Sequence, residues 1–174
     1  MSETNQPVLE NLEALPYVAI RGEVTPETFR SFIDSNFSKP FGWLESKGLE
    51  PAGAPFIRYL SLDLDGKPAV IEAGSPVGRK VVPDGEGLIA GELPAGEYVT
   101  YLHVGPFQHD DLEDLEDASR KVVAWAEGQG IELDRTDSER GTEFGASAEF
   151  YLVDPGAEPD FTKWETRIVM LTAG

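Results

Sequence analysis

The feature that most constrains this chain is an internal echo. Trp43-x-Glu45-x-x-Gly48-Leu49-Glu50 is matched 82 residues later by Trp125-x-Glu127-x-x-Gly130-Ile131-Glu132. Helix ends often look alike, so the echo gains weight from its surroundings. Before the first copy, Tyr17–Arg21 reads as a strand closed by Gly22, and Thr25-Pro26-Glu27 reads as a helix start with Thr as N-cap and Pro in the first turn. Phe29, Phe32, Ile33 and Phe37 follow at helical spacing toward Lys47, with a break or kink expected at Pro40 and a stop at Gly48. Phe56–Leu62 and Ala69–Ala73 read as a hairpin turning at Asp65-Gly66. Around the second copy the order repeats: a strand over Tyr98–Val104, a helix from about Asp110 to Gln129, then strands over Ser147–Val153 and Trp164–Leu171.

The pattern predicts one α+β domain over 1–174, a pseudo-twofold duplication of a βαββ unit. Repeat one is placed at about 15–77, a Gly-, Pro- and Asp-rich linker at about 78–95, and repeat two at about 96–172. Residues 1–14 read as a loosely packed polar leader, too short for a helix-turn-helix.

Charge and composition exclude several classes of function. Thirty-two acidic residues against 14 basic give a net charge of −18, which repels phosphate backbones, so no nucleic-acid binding is expected. The chain holds no cysteine, hence no disulfide and no thiolate metal site. It carries no apolar run long enough to cross a bilayer and no basic leader, so no membrane association and a cytoplasmic location are expected. A protein partner has no support in the sequence.

Ser61-x-Asp63-x-Asp65-Gly66-x5-Glu72 imitates a calcium loop, but its flanks read as strands and Pro68 lies inside it, so a hairpin is expected instead. The acids after His109 read as the solvent face of a helix start rather than a metal cluster. No metal or cofactor is expected. His103, within an apolar strand, reads as a hydrogen-bonded packing residue at the edge of a pocket. Glu149 carries the most information. In Ser147–Val153 alternation sets Glu149, Tyr151 and Val153 on one face and Phe150 and Leu152 on the other. Both faces are largely apolar, and a buried carboxylate needs donors, a cation or a proton. Glu72 raises the same question more weakly.

Five elements in order resemble the GyrI-like small-molecule-binding family, which supplies effector-binding domains to multidrug-responsive transcription regulators. They are Pro55-Phe56-x-x-Tyr59, Ile71-Glu72-x-Gly74-x-Pro76-Val77, Leu93-Pro94-Ala95-Gly96-x-Tyr98 with His103-x-Gly105-Pro106-Phe107, Glu149-x-Tyr151, and Trp164-x-Thr166-x-Ile168. The resemblance implies an antiparallel sheet with helices on one face and a ligand groove between the repeats. It implies a ligand-facing carboxylate at Glu149, aromatic walls at Tyr59, Phe107, Tyr151 and Trp164, and His103 beside them. It implies binding of a bulky aromatic or hydrophobic molecule, as effector binding, sequestration or drug tolerance. Its alternatives are a hydrolase of electrophilic cyclopropane-type compounds, with Glu149 and Tyr151 catalytic, and a protein inhibitor of the gyrase-inhibitor type. Arg167 stands where the family carries Glu. A guanidinium that reached the cavity would pair with Glu149 and cancel a preference for cations. Arg167 also shares a face with Glu165, and the cost of burying a guanidinium tips the balance slightly toward a place outside the pocket.

Overall fold

The computed structural model describes residues 6–62, 68–84, 87–138 and 141–173. The strands are β1 (Val8–Leu12), β2 (Leu15–Val24), β3 (Phe56–Leu62), β4 (Ala69–Pro76), β5 (Leu88–Leu93), β6 (Gly96–Val104), β7 (Arg135–Ser138), β8 (Gly141–Phe144), β9 (Ser147–Tyr151) and β10 (Glu165–Leu171). The helices are α1 (Phe29–Asn36), α2 (Lys39–Ser46) and α3 (Leu115–Gly128). The strands form one antiparallel sheet in the order β1-β6-β10-β9-β3-β4-β2-β5, with the β7–β8 hairpin attached to β3.

That order reads alike from both edges. Inward from either side come an outer strand, the strand that precedes a helix, and then two strands that end side by side at β9 and β3. The sheet must also curl. Only Glu13 and Ala14 separate β1 from β2, and only Pro94 and Ala95 separate β5 from β6, although each connection joins opposite flanks of the sheet. The curl encloses an inner core of Tyr17, Phe56, Leu93, Tyr98, Ala148 and Val169.

All three helices cover the other face. α3 lays Ala118, Val122 and Ala126 on Val99, Tyr101, Ile168 and Met170; this four-residue spacing puts small side chains on one stripe and lets the helix approach closely. Burying Val122 alone is worth about 1.5–2 kcal/mol. α2 anchors through Leu44 against Val18 and Val77. α1 has no buried residue; Phe29, Phe32, Ile33 and Phe37 are only partly covered, over Val24, Ile57 and Ile71. Gly22 makes room for it, since a Cβ there would meet the Phe32 ring at 2.3 Å.

Several boundaries depart from the sequence reading. The leader is not loose: residues 8–12 pair with β6 along their whole length. The linker contains a strand, β5, which pairs with β2. The first helix begins at Phe29 and not after Thr25, because the Thr25 and Thr28 side chains and backbones bond one another in a turn. It breaks before Lys39, with Pro40 in the opening turn of α2. The second helix begins at Leu115, where Asp114 and Asp117 cap each other's backbone N–H groups. Both helix stops fall as expected, with Gly48 and Gly130 at φ +68° and +72°. The β7–β8 hairpin was not foreseen. The flanks of the calcium-like motif are paired strands, and its Asp65-Gly66 turn lies outside the described residues.

Candidate functional site

β9 and β3 meet at the middle of the sheet, and their register builds the site. Ile57 lies opposite Glu149, which in turn lies opposite Ile168. Tyr151 lies opposite Thr166, and Thr166 opposite His103. Side chains directly across an antiparallel pair share a face. Glu149, Tyr151, Thr166, His103 and Ile168 therefore all point to the helix side.

Glu149 is 5% exposed. The Tyr59 hydroxyl donates to its Oε1 at 2.6 Å, and the Tyr151 hydroxyl reaches the same oxygen at 3.5 Å. Burial pushes the Glu149 carboxyl up to about 6, against the opposing pull of the two hydroxyls and, more weakly, of His103. Both tyrosine hydroxyls are pushed well above their ordinary range, first by burial and then by the adjacent carboxylate. Among the described residues no lysine or arginine pairs with Glu149. A carboxylate with two phenolic donors and no cation is stabilised only in part.

Aromatic rings close over it. Phe107 meets Tyr151 edge-on at 5.5 Å and Trp164 at 4.8 Å, and Phe37, just past α1, meets Tyr151 from the other side at 5.7 Å. The Trp164 indole donates to the Glu158 carbonyl at 2.7 Å, which fixes its plane. The structure thus brings Tyr59, Glu149, Tyr151, Phe107 and Trp164 into one cluster. Glu149 is enclosed, while all four rings keep part of their surface exposed.

His103 is wholly buried beside this cluster, and its ring is committed elsewhere. Its Nε2 donates to the Pro106 carbonyl at 2.9 Å, and its Nδ1 lies 3.1 Å from the Glu113 carboxylate. His109 Nδ1 accepts from the backbone N–H groups of Asp111 and Leu112, so that lone pair is occupied. Among the described residues no group of three metal-ligating side chains converges, and no helix is long and apolar enough to cross a membrane.

Two features were missed in the sequence. A cleft of about 290 Å³ opens on the opposite face of the sheet, walled by Leu12, Leu15, Tyr98, Phe150, Leu152 and Arg167. Arg167 lies on that inner face, opposite Phe150, and pairs with Glu10 of β1 at 2.9 Å. It stays outside the Glu149 cluster, as expected, but its partner is Glu10 and not Glu165. The second feature is Thr166. Its place beside Tyr151 follows from strand alternation, but the isolation of its hydroxyl depends on the whole assembled cluster.

Residues 5–171 match the GyrI-like small molecule binding domain. The C-terminal domain of EcmrR superposes with a TM-score of 0.71 at 21% identity, over 98% of each chain. In the EcmrR–DNA complex the match has a TM-score of 0.70 at 21% identity and covers 96% of this chain but 57% of that one, so this chain spans little more than half of the regulator. A hydrolase from Listeria innocua superposes with a TM-score of 0.62 at 15% identity, over 99% of this chain and 94% of that one. SAV2435, bound to tetraphenylphosphonium, gives 0.59 at 13% identity, over 97% and 94%. At these identities the structural likenesses establish the fold alone. No curated protein sequence matches the chain.

Proposed function

This chain belongs to the GyrI-like small-molecule-binding family, and from that premise we propose that it holds a bulky aromatic ligand, preferably cationic, against Glu149. The observation that carries this reading is a buried carboxylate met by Tyr59 and Tyr151 and, among the described residues, by no lysine or arginine, with only the weaker pull of His103 beside it. A cation brought to Glu149 supplies the missing charge, and Tyr59, Tyr151, Phe107 and Trp164 supply ring faces for cation–π and stacking contacts. The tetraphenylphosphonium held by SAV2435 is a ligand of this chemistry. The partly exposed rings give a ligand its first contact, and reaching Glu149 between them needs some movement of the cover. α1 and Phe37 are the part of the cover best able to move, since α1 buries no residue of its own. Binding of this kind serves effector sensing or sequestration.

The test is calorimetric titration with tetraphenylphosphonium and with neutral triphenylphosphine oxide. Glu149→Gln is expected to weaken the cation by about 10–100-fold and the neutral compound by less than about threefold. Equal losses for both, or none, would reduce the carboxylate to a structural role.

A second reading, hydrolysis of an electrophilic small molecule, is favoured by the 2.6 Å Tyr59–Glu149 bond and a carboxyl poised near pH 6. In that reading Glu149 activates water and a tyrosine hydroxyl assists the leaving group. Multiple turnover of an activated electrophile, abolished in Glu149→Gln, separates it from binding alone.

A further inference from the structure

Thr166 stands at the centre of the helix-side face. Along the chain it lies between Trp164, just before β10, and Ile168, and across the strands it lies between His103 and Tyr151. It is wholly buried, and among the described residues its hydroxyl has no hydrogen-bond partner. The polar atoms around it are engaged elsewhere. His103 is held by Pro106 and Glu113, Tyr59 and Tyr151 turn to Glu149, and the Trp164 N–H goes to Glu158. The other buried unpartnered atoms among the described residues are remote: Arg58 Nε belongs to the inner face, and Ser75 lies opposite Val18 beneath α2.

A buried hydroxyl left unbonded destabilises the fold, and valine fills nearly the same space without that cost. The hydroxyl therefore calls for a partner that the described residues do not supply. We propose that Thr166 is a specificity-determining residue that hydrogen-bonds a polar substituent of the ligand. The inference rests on the reading of Glu149 as the ligand-facing carboxylate. Thr166 and Ile168, the residue opposite Glu149, are two apart on one strand, so their side chains rise roughly 6–7 Å apart. The ligand class narrows accordingly to aromatic cations that carry a hydroxyl, amino or comparable group about one ring's length from the cationic centre.

The experiment uses a matched pair, tetraphenylphosphonium and (4-hydroxyphenyl)triphenylphosphonium, titrated into wild type, Thr166→Val, Thr166→Ser and Glu149→Gln. Wild type is expected to favour the hydroxylated probe about tenfold. That ratio should fall to about one in Thr166→Val and return in Thr166→Ser. Relief of the unbonded hydroxyl should also raise the unfolding midpoint of ligand-free Thr166→Val by about 2–4 °C, which shows that the variant folds. A wild type without preference, or a ratio that survives in Thr166→Val, overturns the inference. Glu149→Gln separates the two possible failures. If it weakens both probes while the Thr166→Val ratio persists, only the Thr166 contact fails; if it weakens neither, the proposed function fails and this inference with it.

Discussion

Among the described residues two carboxylates are buried in this sheet, on opposite faces, and their surroundings differ in kind. Glu72, 1% exposed, sits on the inner face of β4. Arg21 grips its Oε2 with two donors at 2.9 and 2.7 Å, and the Tyr17 hydroxyl donates to Oε1. Arg58 in turn donates to Tyr17 at 2.8 Å and to the Gly145 carbonyl at 2.8 Å, which ties β3 to the turn before β9. Glu149, 5% exposed, meets two hydroxyls and, among the described residues, no lysine or arginine, and His103 pulls on it only weakly. A buried charge whose counter-charge is built in belongs to the fold. One with donors alone keeps an unmet electrostatic demand that an outside cation can satisfy.

The largest test of this contrast removes the charge from Glu72. Glu72→Gln breaks the two-pronged ion pair and weakens the Tyr17 bond, at an expected cost of about 2–3 kcal/mol in urea unfolding. The loss stops there because Arg21, half exposed, regains water. Affinity for tetraphenylphosphonium should stay within about twofold, since Glu72 lies across the sheet from the ligand cluster. Large effects on binding would break the division between a structural and a functional carboxylate.

The next effect is a pH dependence of stability carried by Glu149. Its carboxyl titrates near 6 in the folded protein, above the ordinary 4.5. The folded state thus holds this proton more tightly than the unfolded chain does. The resulting stabilisation is fully present below pH 4.5 and is lost as the pH rises through 6, by about 2 kcal/mol. Thirty-two acidic residues make the wild-type curve alone uninformative, so the quantity to measure is the difference between wild type and Glu149→Gln. Relative to wild type, the variant should gain about 2 kcal/mol between pH 4.5 and 8. A flat difference would mean that Glu149 is as well compensated as Glu72.

The contrast itself was only half legible in the sequence. Strand alternation placed Glu149 and Tyr151 on one face, and local turn chemistry found the stops at Gly48 and Gly130, because each depends on residues a few positions apart. The fate of Glu72 depends on Arg21 and Tyr17, 51 and 55 positions away, and no local pattern announces that meeting. β1 and β5 were read as leader and linker for a related reason. Val8-Leu-Glu-Asn-Leu12 lacks clean alternation, and β5 follows a Gly- and Pro-rich stretch; each is a strand because β6 or β2 offers it an edge. The committed ring of His103 and the unbonded hydroxyl of Thr166 emerge only when every neighbour's partners are counted.

Arg167 gives the smallest and most discriminating test. Alternation left its face undetermined, but the register of β10 settles it: Arg167 lies opposite Phe150 and Leu102, whereas Ile168 lies opposite Glu149. The guanidinium reaches Glu10 at 2.9 Å, with both side chains more than a third exposed. Glu10 is held below its ordinary range chiefly by the Thr100 hydroxyl, with Arg167 adding to the effect against desolvation. A pair this open to solvent is worth about 0.5 kcal/mol, and salt weakens it further. Arg167→Ala should therefore lower stability by about 0.5 kcal/mol at low ionic strength and by less in high salt. Arg167→Glu adds repulsion toward Glu10, yet it should change tetraphenylphosphonium affinity by no more than about twofold, because the added charge lies across the sheet from Glu149 and is screened by water. A tenfold gain in cation affinity for Arg167→Glu would mean that this side chain had been neutralising Glu149, and the two carboxylates would then differ only in the length of the arm that compensates them.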